Sequence, residues 1–399
     1  MPPFPYHRLR RWPDVEAPDL QAWDATDVLL VDRAVALAAS QAIDGTQIAV
    51  IGDGYGAITL ALTDAGYAGV RVHQDLATGR RALARNAEEL ALDGCRPHEL
   101  DEALLAGARL VLLQLPKSLA ELQEIADAVA RWAADDVVVV AGGRVKHMTL
   151  GQNDVLGRSF AHVQAERAER KSRLIVASGP RPVPPEPPFP VSMQHDRFTL
   201  VAHGGVFAGA RIDIGTRVLL DVLGLGGSQL LENDADEGES ARNRADDADS
   251  GGVVNSDLVV DLGCGNGALA VAYALAHPDA HVVATDRSAA AVASARAAVA
   301  ANGLSDRIVV THDDAGSELA DGSAGTVLLN PPFHLGTSIH TAAATRLFEA
   351  AARLLRPGGE LWTVYNSSLA YKSTLTRTVG PTEQVHRTPK FTVTRSIRR

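Results

Sequence analysis

A chain of 399 residues, 46% hydrophobic and 22% charged, has the composition of a globular protein with room for two domains, each with its own core. No run approaches the roughly 18 apolar residues a membrane helix needs, and the opening "MPPFPYHRLRRWPDVEAPD" lacks the apolar centre of a signal peptide. Two cysteines, Cys95 and Cys264, exclude a disulfide framework and a Cys-rich zinc site, so a reducing cytoplasm is expected, with no membrane and no metal partner.

The net charge of -10 is unevenly placed. Residues 232–250 carry eight acidic side chains against Arg242 and Arg244, whereas the last thirteen residues hold five basic groups and no acid. Nucleic-acid binding needs a local basic footprint rather than a basic total, so the charge leaves an RNA partner open.

In chain order, "AVIGDGYGAITLAL" (49–62) is an apolar run that enters a glycine-rich turn. A basic helix with Arg80, Arg81 and Arg85 follows, then the strands "LVLLQLPK" (110–117) and "VVVVAGG". Arg144, Lys146 and His147 come after the latter, and Arg167, Arg170, Lys171 and Arg173 lie further on. "GPRPVPPEPPFP" (179–190) has seven prolines and reads as a semi-rigid spacer, giving an expected linker over 179–197 between domains at 1–178 and 198–399. Residues 232–252 are polar, acidic and without apolar period, the pattern of a disordered insertion.

Beyond the insertion, "DLVVDLG" (257–263), "HVVATD", "RIVVTHD", "GTVLLN" and "GELWTVY" read as strands. Helical patterns separate them, among them "AAAVASARAAVAANG" and "AAATRLFEAAARLL". Such alternation predicts an α/β fold with a doubly wound, mostly parallel sheet, whose ligands bind at the carboxyl ends of the strands.

The first half repeats the second. Gly52, Gly54 and Gly56 fall over Gly263, Gly265 and Gly267, and an acid follows the third glycine by 19 positions in both halves, Asp75 and Asp286. "LVLLQLPK" falls over "TVLLNPPF", and "RKSRLIVAS" (170–178) echoes "TPKFTVTRS". The first half has Val50 where the second has Asp261, and Gln114-Leu115-Pro116-Lys117 where the second has Asn330-Pro331-Pro332-Phe333. It keeps the fold and has lost the chemistry.

The loop "DLGCGNG" departs from the dinucleotide fingerprint G-x-G-x-x-G. Asp261, two residues before Gly263, suits an ammonium rather than a pyrophosphate. Asp286 ends the next strand, where a carboxylate accepts ribose hydroxyls. Asp313 or Asp314 ends the one after, within reach of an adenine amine. Ammonium, ribose and adenine together specify S-adenosyl-L-methionine, with Asp261, Gly263, Gly265, Gly267, Asp286 and Asp313 as its expected contacts.

"NPPF" then explains a strand that stops on two prolines. The Asn330 side-chain oxygen and the Pro331 carbonyl can hold a planar exocyclic amine in line with the methyl group. Pro331 and Pro332 fix the corner and remove N–H donors. Phe333 offers a face for a flipped-out base, with His334 beside it. Phe207 and Thr216 are candidates for the cofactor pocket wall, and Lys390 in the basic tail for an RNA contact.

The chain resembles the tandem-domain ribosomal RNA guanine-N2 methyltransferases of the RsmC/RlmG type. "VFAGARIDIGTRVLL", "VVDLGCGNG", "AVASARAAVAANG" and "LLNPPFH" carry the likeness in the second half; "LQAWDATDVLL", "QLPKSLAELQ" and "PKFTVTRSI" point to the large-subunit branch. The resemblance implies two tandem class I (Rossmann-like) methyltransferase domains. The first is degenerate and serves RNA recognition; the second methylates guanine N2 in ribosomal RNA. The same motif also suits adenine N6 or a protein glutamine amide, and a non-catalytic ribosome-assembly binder is a further alternative.

Overall fold

The computed structural model describes residues 3–17, 19–226, 258–332 and 338–399. The acidic stretch 232–252, Phe333 and His334 lie outside the described residues. Backbone contacts divide the chain into a unit of Met1–Val191, Ala202–Gly209 and Arg287–Ala293 and a second of Ser192–Val201, Ala210–Asp286 and Ser294–Arg399.

In the first unit, α1 (Ala25–Gln41) precedes β1 (Ile48–Ile51), α2 (Ala57–Asp64), β2 (Arg71–His73), α3 (Ala77–Leu90) and β3 (Arg96–His98). There follow α4 (Glu102–Leu105), β4 (Leu110–Gln114), α5 (Leu119–Trp132), β5 (Val138–Arg144), α6 (Leu150–Ser159), β6 (Phe160–Ala165) and β7 (Ser172–Pro180). The sheet order is β3-β2-β1-β4-β5-β7-β6, with β7 antiparallel to both its neighbours and the other pairs parallel. All four residues of β1 and the first four of β4 are buried. That is why these strands read as continuous apolar runs rather than alternating ones: helices cover both faces of a parallel sheet.

The second sheet repeats the order. After α7 (Ile214–Val222) come β10 (Leu258–Leu262), α8 (Ala268–Ala276), β11 (Val282–Asp286), α9 (Ala289–Ala301) and β12 (Ile308–His312). Next are β13 (Ala324–Leu329), α10 (Ser338–Leu354), β14 (Leu355–Asn366), α11 (Lys372–Thr378), β15 (Thr382–Arg387) and β16 (Phe391–Ile397). The order β12-β11-β10-β13-β14-β16-β15 has the same connectivity as the first sheet, with β16 in the place of β7. Val260, Leu262, Val327, Leu329, Phe348 and Leu361 fill one side of this sheet, all essentially without solvent contact. Each such side chain contributes roughly 1.5–3 kcal/mol of burial.

The proline-rich segment differs from the sequence expectation. Gly179 and Pro180 complete β7, and β8 (Val191–Gln194) pairs with β9 (Thr199–Ala202), so part of 179–197 is ordinary strand. The prolines from Pro182 to Pro190 stand between these strands, where no ladder needs their missing N–H.

Candidate active site

The sheet register brings the candidate residues to one edge of the second unit. Parallel pairing sets Asp261 of β10 opposite Leu328 of β13, so Asn330 follows two residues on along the neighbouring strand. On the other side, Leu262 pairs with Thr285 and Asp286 with His312. Asp261, Asp286, Asp313 and Asn330 therefore stand at or just beyond the carboxyl ends of four adjacent strands.

The glycine loop turns between β10 and α8. Gly263, Gly265 and Gly267 all have positive φ, at 78°, 53° and 80°. At Gly267, which caps α8, a Cβ would also lie 3.2 Å from Ala295 Cα, so only glycine lets α8 start here. Asn266 ties the loop to the segment before α7, its Nδ2 donating to the Arg211 carbonyl at 2.9 Å.

Asp261 is 1% exposed. Its Oδ2 accepts from the Ala270 amide at 3.0 Å, while Oδ1 is buried with no partner. Burial drives its carboxyl up to about 7; the Ala270 amide pulls it down and the Asp286 charge pushes it up. A buried acceptor left open in this way fits a cationic donor, as an amino-acid ammonium is. Asp286 accepts from the Gly265 amide through Oδ2 at 2.9 Å, which holds the carboxylate against the loop. Cys264 between them is buried, and burial, with Asp286 and then Asp261, pushes its thiol well up. It is a neutral packing residue, not a nucleophile.

Asp313 is placed otherwise than its position at a strand end suggested. Its Oδ1 accepts from the Asp314 amide at 2.7 Å and from Ser317 Oγ at 2.6 Å, and Oδ2 from the Glu318 amide at 2.9 Å. The carboxylate closes its own turn, and Asp314 pairs with Arg346.

At the end of β13, Asn330 Nδ2 donates to Thr216 Oγ1 at 2.8 Å and to Asp213 Oδ2 at 3.2 Å. Its Oδ1 is buried without a partner. Pro331 is buried and Pro332 exposed. Thr216, a candidate for the cofactor wall, thus meets Asn330 directly, whereas Phe207 is 68% exposed. Asp213, the N-cap of α7, escaped the sequence reading because its partner Asn330 is 117 residues away along the chain. Lys390 is exposed, its Nζ 5.5 Å from the centre of the Phe391 ring; that ring in turn packs against Gly215, with Cε1 3.2 Å from where a Cβ would stand.

The first unit shows what the loss of chemistry looks like. Asp53, at the position of Cys264, is fully buried and accepts from the amides of Gly56, Ile58 and Thr59 at 2.9, 3.2 and 2.7 Å. A carboxylate of the chain itself thus occupies the glycine turn, and the Gln74 amide donates to the Asp53 carbonyl. Three of its basic residues are paired: Arg80 with Glu99 at 2.6 Å, Arg85 with Glu89 at 3.0 Å and Arg170 with Glu169 at 3.3 Å.

A class I sheet, an acid-flanked glycine turn and an asparagine-proline corner on the fourth strand define a methyltransferase that takes S-adenosylmethionine as methyl donor. Comparison with known proteins makes this specific. Residues 251–395 match the methyltransferase small domain and residues 3–181 the RLMG N-terminal domain. Ribosomal RNA large subunit methyltransferase G of Pseudomonas fluorescens is 33% identical over 402 residues, covering 98% of this chain and 97% of its own. The Streptomyces avermitilis protein of that name is 32% identical, covering 100% of this chain and 98% of its own. The chain belongs to the ribosomal RNA large subunit methyltransferase G family. Among solved structures, the T. thermophilus 16S rRNA N2 methyltransferase RsmC, in complex with AdoMet and guanosine, shares the fold over 99% of both chains, with a TM-score of 0.69 and 22% identity.

Proposed function

We propose that this protein transfers a methyl group from S-adenosylmethionine to the exocyclic N2 of a guanine in ribosomal RNA, that of the large subunit, in the bacterial cytoplasm. The observation that carries the reading is the Asn330 side-chain oxygen: buried, partnerless, and at the strand end next to the acid-flanked glycine loop. An open buried acceptor costs about 1–3 kcal/mol. A substrate N–H donor at that point removes the cost, and an exocyclic amine is such a donor. The names of the full-length relatives supply the large-subunit RNA.

In this reading, Asp261 Oδ1 accepts the ammonium of the cofactor, and Asp286, steadied by the Gly265 amide, accepts its ribose hydroxyls. Gly263, Gly265 and Gly267 let the backbone approach without a side chain in the way. Asn330 Oδ1 and the Pro331 carbonyl hold the guanine amine so that its lone pair faces the methyl group. When bound, the cofactor supplies an electrophilic methyl: the amine nitrogen forms the new C–N bond as the C–S bond breaks, and the amine proton leaves to solvent. Phe333 and His334, outside the described residues, are the proposed contacts to the base, one stacked ring being worth roughly 1–3 kcal/mol. Lys390 meets the RNA backbone, and the first unit contributes to RNA recognition. The five basic residues among the last thirteen, in a chain of net -10, support the contact at Lys390.

Binding of nucleosides isolates the amine. With S-adenosylhomocysteine present, guanosine is expected to bind about 10–100-fold more tightly than inosine, which differs only in lacking N2, the worth of one hydrogen bond to a buried open acceptor. Equal binding of the two in equilibrium dialysis would remove the amine from the reading. Preference for adenosine would move it to N6.

A further inference from the structure

We infer that Asp213 and Thr216 are positioning residues that lock the Asn330 amide with its oxygen toward the acceptor base, so that the site takes an amine and refuses a carbonyl at that point. The inference rests on the proposed reaction and adds the residues that set its selectivity.

An asparagine amide presents two faces of opposite hydrogen-bonding character, and a half-turn about its last bond exchanges them. A threonine hydroxyl cannot decide between them, because it donates or accepts. A carboxylate only accepts. Asp213 Oδ2 lies 3.2 Å from the amide atom that Thr216 Oγ1 meets at 2.8 Å, so that atom must be the nitrogen. With both N–H groups given to these two oxygens, Oδ1 points away from them, and it is the atom left buried and open. Gly215 keeps the way clear: the Cβ it lacks would stand 3.4 Å from Asn330 Oδ1. A guanine O6, or any other carbonyl, would there meet oxygen against oxygen.

Asp213 is itself held. It is the N-cap of α7, Oδ2 accepting from the Gly215 amide at 2.9 Å and the Thr216 amide at 3.4 Å. Helix cap and amide lock are one carboxylate, so α7 and the end of β13 share a fixed point.

The first unit helps to separate structure from selectivity. There Asp24 caps α1, and Asp27, three residues on, accepts from the Gln114 side-chain amide at the end of β4. The tie between helix and strand is therefore a feature of the repeated fold, present even where the chemistry has gone. What the second unit adds is the buried oxygen without a partner: among the described residues Asn330 Oδ1 has that status and the Gln114 oxygen does not.

The test is single-turnover transfer of labelled methyl to ribosomal RNA by the full chain, with cofactor affinity and thermal stability measured alongside. In Asp213→Ser, serine caps α7 as well as aspartate does, but its shorter side chain does not reach the Asn330 amide. The expected result is a rate constant about 10–100-fold lower at saturating RNA and cofactor, with cofactor Kd and melting temperature unchanged. Thr216→Val, which removes one of two acceptors and leaves the carboxylate, is expected to lose several-fold, and Thr216→Ser to retain the wild-type rate. A wild-type rate in Asp213→Ser would overturn the inference. So would a loss accompanied by an equal fall in cofactor affinity or stability, which would make the residue a helix cap alone. Should the serine variant fail to fold, an undiminished rate in Thr216→Val overturns it. Absence of transfer to guanine by the wild-type chain would instead refute the proposed reaction.

Discussion

Asn330→Ala is expected to lower the rate constant for methyl transfer by about 10²–10³-fold, the usual loss when one fixed polar group at the reacting centre is removed. The amine of guanine shares its lone pair with the ring, so it becomes nucleophilic only as its geometry turns tetrahedral. The Asn330 oxygen accepts a proton-bearing bond that strengthens as positive charge grows on that nitrogen. Because the interaction is made in the ground state and strengthens at the transition state, guanine binding should weaken and kcat should fall as well. The cofactor contacts assigned to Asp261, Gly265 and Asp286 do not involve Asn330, so S-adenosylmethionine affinity should stay within about two-fold. Removing the side chain relieves a buried open acceptor but breaks the Nδ2 bonds to Thr216 and Asp213, so the melting temperature should change little. Full activity in this variant, still folded and still binding cofactor, would leave the strand corner without a catalytic role.

Asp261→Asn should separate binding from stability in the opposite sense. The folded protein holds this carboxyl near 7, well above its ordinary value of 3.8, chiefly through burial. A folded-state value raised above the unfolded one means that the native state holds the proton more tightly. On this group's account, the ligand-free protein is therefore least stable above pH 7. It gains stability as the pH falls from 7 towards 4, and the gain is complete below both values. The asparagine side chain keeps an acceptor for the Ala270 amide and carries no charge to bury. The expected outcome is a cofactor-free protein more stable than wild type by about 1–3 kcal/mol at pH 8, with the difference vanishing near pH 4. Denaturant midpoints at the two pH values measure it. At the same time S-adenosylmethionine affinity should fall about 10–100-fold, since an amide replaces a carboxylate facing the ammonium. In the wild type, affinity should decline as the pH drops below about 7, because the cofactor then competes with a proton. A variant no more stable than wild type at pH 8, or one that binds cofactor normally, would contradict the role given to Asp261.

Much of this was legible in the sequence because it is periodic or punctuated. Buried parallel strands write themselves as apolar runs, which is why β10, β11 and β13 could be placed from their letters. The equal spacing from Gly56 to Asp75 and from Gly267 to Asp286 exposed the duplication that the two identical sheet orders display. What the letters hid were side-chain directions. Asp313 stands where a ligand contact is expected, and its oxygens also accept from the turn through Ser317 and Glu318, a tie set by loop geometry. Asp213 drew no notice, because its partner Asn330 is 117 residues away. The proline-rich stretch read as a spacer, but Val191–Gln194 forms a strand because Thr199–Ala202 is at hand to pair with it.

The most direct measurement is to label ribosomal RNA with this protein and methyl-labelled S-adenosylmethionine, large- and small-subunit RNA separately, each naked and assembled. Digestion and chromatography then identify the labelled nucleoside. The account predicts N2-methylguanosine from large-subunit RNA. Label in another nucleoside, or confined to small-subunit RNA, would contradict it.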